Sequence, residues 1–90
     1  MSPDQLWQTA YADYASGQYD LAVTGFQTYI STFPRSEKAV DAQVAICNAY
    51  VNGAKYDNAV QACDTAIRNY PSSERLSEAY YRKGQAHQSL

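Results

Sequence analysis

The segment Tyr19-Asp20-Leu21-Ala22-Val23, followed by Thr28, Ile30 and Pro34, returns as Tyr56-Asp57-Asn58-Ala59-Val60, followed by Thr65, Ile67 and Pro71, each pair 37 positions apart. The same offset relates Ser36-Glu37 to Ser73-Glu74, Ala12 to Ala49, and Ala49 to Ala86. A period of this size marks an array of stacked units, because one unit alone leaves an apolar face uncovered. The 90 residues therefore divide into a first repeat over about 3–36, a second over about 37–72 and the start of a third over about 73–90.

Within each unit the apolar spacing is helical. Ala22, Val23, Phe26, Tyr29, Ile30 and Phe33 make one broad stripe, and Ala59, Val60, Cys63, Ala66, Ile67 and Tyr70 make its copy. Leu6, Ala10 and Tyr14, widened by Trp7 and Tyr11, form an earlier stripe; Val40, Val44, Cys47 and Val51 form another before the second copy. Punctuation agrees. Ser2-Pro3-Asp4-Gln5 reads as an N-cap with Pro in the first turn and Gln closing a capping box. Pro34 and Pro71 follow their stripes, where a missing N–H opposes continuation, and Ser36 and Ser73 are placed to cap the next helix. Gly17 and Gly53 fall in the within-unit turns, where positive φ is needed. The expected fold is all-α, with five antiparallel helices over roughly 3–16, 19–33, 37–52, 56–70 and 73–90.

Charge and composition narrow the function. A net charge of −2 argues against nucleic acid, which needs clustered Lys and Arg. No Lys or Arg precedes Arg35, while Asp4, Asp13 and Asp20 lie in that stretch, so the N-terminal third is acidic. No apolar run approaches the ~20 residues of a membrane span. The start, Met1-Ser2-Pro3-Asp4, has neither the basic and apolar regions nor the cleavage site of a signal peptide, which leaves the beginning of a parent protein open.

Ala10, Tyr14, Gly17, Tyr19, Ala22, Phe26 and Pro34, then Cys47, Tyr50, Tyr56, Ala59, Ala66 and Pro71, then Tyr80, Gly84 and Ala86, together resemble the tetratricopeptide repeat (TPR). Departures are Ala54 in place of the usual Gly, Cys63 in place of an aromatic, and a period above the usual ~34. The run Leu6 to Tyr14, then Gly17 to Ala22 and Gly25-Phe26-Gln27, is similar to the C-terminal repeat domain of the YbgF (CpoB) family of the Tol-Pal system. That resemblance implies a periplasmic protein that contacts TolA and the peptidoglycan-synthesis machinery during envelope constriction and cell division. Its rival is the BamD family of outer-membrane assembly lipoproteins, which Ala79-Tyr80-Tyr81-Arg82-Lys83-Gly84 resembles.

The repeat pattern implies a protein-protein interaction scaffold whose concave face is lined by the first helix of each unit. The partner-binding residues it assigns are Trp7, Tyr11 and Tyr14, then Val44, Asn48, Val51 and Asn52, then Tyr81, Arg82 and Gln85, with Gln88 beside them. Core or inter-repeat packing accounts for Tyr11 and Tyr14 equally well; Trp7 is the stronger contact candidate. The expected ligand is a protein or peptide segment with apolar anchors. A structural alternative is self-association, since Leu76, Tyr80 and Gly84 have no following helix in the sequence to cover them. No catalytic residues, cofactor or metal site are expected. His87 is the only histidine and has no nucleophile placed beside it, the acids are dispersed, and one His with two separated Cys cannot complete a zinc site.

Cys47 and Cys63 lie about seven residues before and nine after the turn near Ala54, so an antiparallel pair brings them to similar height. They replace the small residue and the aromatic that face one another in the family's hairpins. Two readings are open: a disulfide, if the Cα atoms approach within about 7 Å, or two reduced, buried cysteines acting as small hydrophobes. Packed helices seldom hold Cβ atoms at bridging distance, which favours the reduced pair.

Overall fold

Ser2 opens the first helix as its sequence prescribes. The Ser2 hydroxyl accepts from the Gln5 N–H at 3.1 Å, and the Gln5 side-chain oxygen accepts from the Ser2 N–H at 3.2 Å. A computed structural model describes residues 2–90. It contains α1 (Pro3–Ala15), α2 (Tyr19–Thr32), α3 (Ala39–Asn52), α4 (Tyr56–Asn69) and α5 (Ser77–Ser89), with a 3₁₀ turn at Glu74–Leu76 before α5. Successive helices are antiparallel neighbours, and α3 also packs on α5. The result is an all-α stack of TPR-type hairpins, a slab of 38 × 31 × 16 Å.

Both within-unit turns are Schellman motifs. At the first, Gly17 N–H and Gln18 N–H donate to the carbonyls of Tyr14 and Asp13. At the second, Ala54 N–H and Lys55 N–H donate to Val51 and Tyr50. The left-handed residue is Gly17 (φ +83°) in the first and Ala54 (φ +61°) in the second. Gly53 was the expected positive-φ residue, and it is instead the C-cap at φ −85°. The last helical carbonyls set the register of the motif, and they put the left-handed position one residue later.

The between-unit turns also differ from expectation. Ser36 does not open an α-helix at 37: its hydroxyl accepts from the Lys38 N–H at 3.2 Å and closes a tight turn, with Lys38 at the N-cap of α3. Ser73 does cap the element that follows it, but that element is the 3₁₀ turn, its hydroxyl accepting from the Arg75 N–H at 3.1 Å. The Ser36 hydroxyl is also bonded to the Tyr29 hydroxyl at 2.6 Å. Consequently α3 begins at Ala39, and α5 begins at Ser77 after the 3₁₀ turn.

The core is thin and centred on α3, which buries Ala39, Val40, Ala42, Val44, Ile46, Cys47, Asn48 and Ala49. In the first hairpin, α1 and α2 touch at Ala10 and Gly25, where an added Cβ on Gly25 would stand 2.8 Å from the Ala10 Cβ. Phe26 fills the space beside them and is fully buried. In the second hairpin the equivalent positions carry Cys47, Ala62 and Cys63. Ala59, Ala62 and Ala66 line α4 and are all buried, so the helices come close enough for α3 side chains to reach the α4 backbone. Gln43 Nε2 donates to the Ala62 carbonyl at 3.1 Å, and Cys47 Sγ lies 3.1 Å from the Ala59 oxygen.

That approach corrects the preference for reduced cysteines. Cys47 and Cys63 form a disulfide, with Cα atoms 5.3 Å apart. Three alanines on α4 remove the bulk that normally keeps packed helices apart. The edge expected at Leu76, Tyr80 and Gly84 divides. Leu76 is only 5% exposed and belongs to the core, whereas Tyr80 is exposed and Gly84 has open space around it. Among the described residues, no helix is long and apolar enough to cross a membrane.

Two outcomes test this packing. Reducing the disulfide, which closes a separation of 16 residues, is expected to lower the unfolding free energy by about 3 kcal/mol through the freed chain entropy. A urea midpoint unchanged by reductant contradicts it. Ala54→Gly is expected to raise stability by about 1 kcal/mol, by removing an L-residue from the left-handed region; a lowered midpoint contradicts the turn assignment.

Candidate functional site

The 37-residue offset lays Trp7, Val44 and Tyr81 at one equivalent position, and Tyr11, Asn48 and Gln85 at another, along the first helices α1, α3 and α5. These helices are not evenly spaced. α3 packs directly on α5, while α1 and α3 touch only marginally. Large side chains on α1 stand in the gap, whereas the equivalents on α3 are the smaller Val44, Asn48 and Val51. A concavity of about 250 Å³ remains between α1 and α3.

Five of the expected contact residues line that concavity: Trp7, Tyr11, Tyr14, Val44 and Asn48. Trp7 is half-buried. Its ring meets Phe26 edge-on at 5.1 Å and Tyr29 at 5.6 Å, so part of the indole is held by its own hairpin. Tyr14 packs edge-on against Tyr19 at 5.9 Å, and its hydroxyl accepts from Asn52 Nδ2 at 2.9 Å. This bond ties α1 to the end of α3. Tyr11 is 54% exposed and has only a tilted contact with Tyr14, at 6.0 Å. Of the three aromatic residues it is the one least used by the fold.

Asn48 is 9% exposed. Its Nδ2 donates to Glu78 Oε1 at 3.3 Å, and its Oδ1 has no hydrogen-bond partner. A buried acceptor left in that state costs about 1–3 kcal/mol. The disulfide at the preceding residue, Cys47, pins this part of α3 to α4.

Sequence reasoning missed the rim. Asp41, Ala45, Arg75 and Glu78 also line the concavity. Arg75 reaches back from the 3₁₀ turn to donate to Asp41 Oδ2 at 3.1 Å and to the Glu37 carbonyl at 2.7 Å. Lys38, the equivalent of Arg75 one repeat earlier, places its ammonium 5.2 Å above the Trp7 ring. The signal was present in the repeat: a cation recurs at 38 and 75, and an acid recurs at Asp4, Asp41 and Glu78.

Tyr81, Arg82 and Gln85 are not brought into the concavity. They form a separate cluster on α5, where Arg82 donates to Gln85 Oε1 at 2.9 Å and its guanidinium lies 5.6 Å from the centre of the 63%-exposed Tyr81 ring. Val51 is half-buried beside the core, and Asn52 enters only through its bond to Tyr14. Burial raises the pKa of the Tyr70 phenol, at the C-cap of α4 and outside the concavity. His87 is exposed. Among the described residues no group of three or more His, Cys, Asp or Glu could hold a metal ion.

Residues 1–89 match the family model YfiO, described as outer membrane lipoprotein. No curated protein matches the chain. The match spans both repeats and all of α5, and it supports a TPR-type interaction fold without carrying the YbgF assignment.

The packing of the aromatic wall predicts unequal costs. Trp7→Ala is expected to lower stability by about 2–3 kcal/mol, since it removes the contact with Phe26 and Tyr29. Tyr14→Phe is expected to cost under about 1 kcal/mol, because it removes one exposed hydrogen bond. Urea denaturation of both variants checks the order, and equal midpoints contradict it.

Proposed function

We infer that this chain, which belongs to the YfiO outer membrane lipoprotein family, acts as a protein-interaction module at the bacterial outer membrane. Its concavity between α1 and α3 receives a segment of a partner protein. The observation that carries this reading is the aromatic wall. Tyr11 is a large, half-exposed side chain that does little for the fold and stands at the mouth of a concavity of about 250 Å³. Aromatic side chains in such a position contribute contact area at low entropic cost and dominate interface energetics. The long helices, short turns and disulfide supply the rigid support that such a face needs.

The family description, outer membrane lipoprotein, supports an envelope location and is consistent with the outer-membrane assembly reading. The Tol-Pal reading rests on a different observation, the run from Leu6 to Tyr14 with Gly17 to Ala22. The two differ in partner: components of the outer-membrane assembly complex in one, TolA in the other.

Tyr11→Ala is the informative variant, since Trp7→Ala confounds binding with stability. The immobilised 90-residue chain is expected to retain outer-membrane assembly proteins from an envelope extract. Tyr11→Ala is expected to weaken the retained interaction about tenfold or more, while Gln61→Ala on α4 leaves it unchanged. Retention of TolA instead would support the Tol-Pal reading. Undiminished binding by Tyr11→Ala contradicts the concavity as the binding face.

A further inference from the structure

Asn48 is the only buried polar residue among those described, and its orientation is chemically fixed. Nδ2 faces the Glu78 carboxylate, because the reversed amide would set Oδ1 against another oxygen. The group left over is therefore an acceptor, Oδ1, without a partner. What completes it must be a donor.

Charge points the same way. Two carboxylates, Asp41 and Glu78, line the concavity against one guanidinium, Arg75. Arg75 is committed to Asp41 and to the Glu37 carbonyl, and Lys38 lies over Trp7. Glu78 is exposed and has no ion-pair partner among the described residues. α1 contributes no cation to the site, since no Lys or Arg precedes Arg35. Tyr11 supplies an exposed ring at the mouth.

We propose that the concavity between α1 and α3 is an arginine subsite, taking the side chain of an arginine on an extended segment of a partner protein. The guanidinium has five N–H donors in a planar fork and no acceptor. It suits a site made of a carboxylate with no ion pair, an unpartnered amide oxygen and a ring face. Its N–H groups meet Glu78 and Asn48 Oδ1, and its plane lies on Tyr11, a stacking that a lysine ammonium cannot reproduce. The proposal rests on the concavity being the partner-binding face, and it names what that face selects.

Trp7 is the only tryptophan and lines the site, so its fluorescence reports occupancy. The probe is a seven-residue peptide of threonine and leucine with one central arginine, and its control replaces arginine with uncharged citrulline. Both are titrated into the 90-residue chain and into its Glu78→Gln variant, which keeps an acceptor oxygen for Asn48 Nδ2, removes the charge and puts an amide donor where the second carboxylate oxygen stood. The arginine peptide is expected to bind at least tenfold more tightly than the citrulline peptide to the wild type, and Glu78→Gln is expected to remove most of that difference. Equal binding of the two peptides overturns the arginine subsite while leaving the concavity as a peptide-binding face. A Trp7 signal unmoved by either peptide at millimolar concentration also overturns it, and retention by the Tyr11→Ala variant then decides whether the binding face falls too.

Discussion

The close approach of α3 to α4 governs the rest of the molecule. Ala59, Ala62 and Ala66 bring the α4 backbone within reach of Gln43 and Cys47, and the disulfide holds it there. α3 is also the helix against which α2 and α5 pack, so its position sets that of both repeats. The first hairpin reaches its own close contact by another route, through Ala10 against Gly25 with Phe26 filling the space alongside. One hairpin is filled by an aromatic ring, and the other replaces that ring with a covalent link at the same repeat positions. A 90-residue chain with a thin core gains from such a link, since its whole stability is about 5–13 kcal/mol.

Much of this was legible in the sequence because a repeat states each structural requirement more than once. The 37-residue offset, with the helical spacing inside each unit, located five helices and two kinds of turn. Where the reading went astray, it followed residue type against the offset. Glycine chemistry pointed to Gly53 for positive φ, but Gly17 plus 37 is Ala54, and Ala54 adopts the left-handed conformation. Ser36 looked like a helix cap, yet its hydroxyl closes a turn before α3, whereas Ser73 caps only the 3₁₀ turn that precedes α5. The rim formed by Lys38, Asp41, Arg75 and Glu78 also obeys the offset. What the repeat did not contain is the unequal spacing of α1, α3 and α5, which depends on side-chain bulk. Trp7, Tyr11 and Tyr14 stand between α1 and α3, while smaller residues let α3 meet α5. For that reason Tyr81, Arg82 and Gln85 form a cluster of their own.

The spacing gives the functional reading its physical content. A uniform stack would present a shallow, continuous face, whereas this one opens a concavity between α1 and α3 with an aromatic wall, an ion-paired rim and an amide floor. The wall is divided in its duties: Trp7 and Tyr14 serve the fold as well as the surface, and Tyr11 is nearly free of structural work.

The central claim is that partner contact occurs at the face between α1 and α3. Site-specific photocrosslinking tests it most directly, with a photoreactive phenylalanine analogue placed at Tyr11 or, on α4, at Gln61. The account predicts a discrete partner adduct from position 11 and none from position 61. An adduct from position 61 with none from position 11 would contradict it.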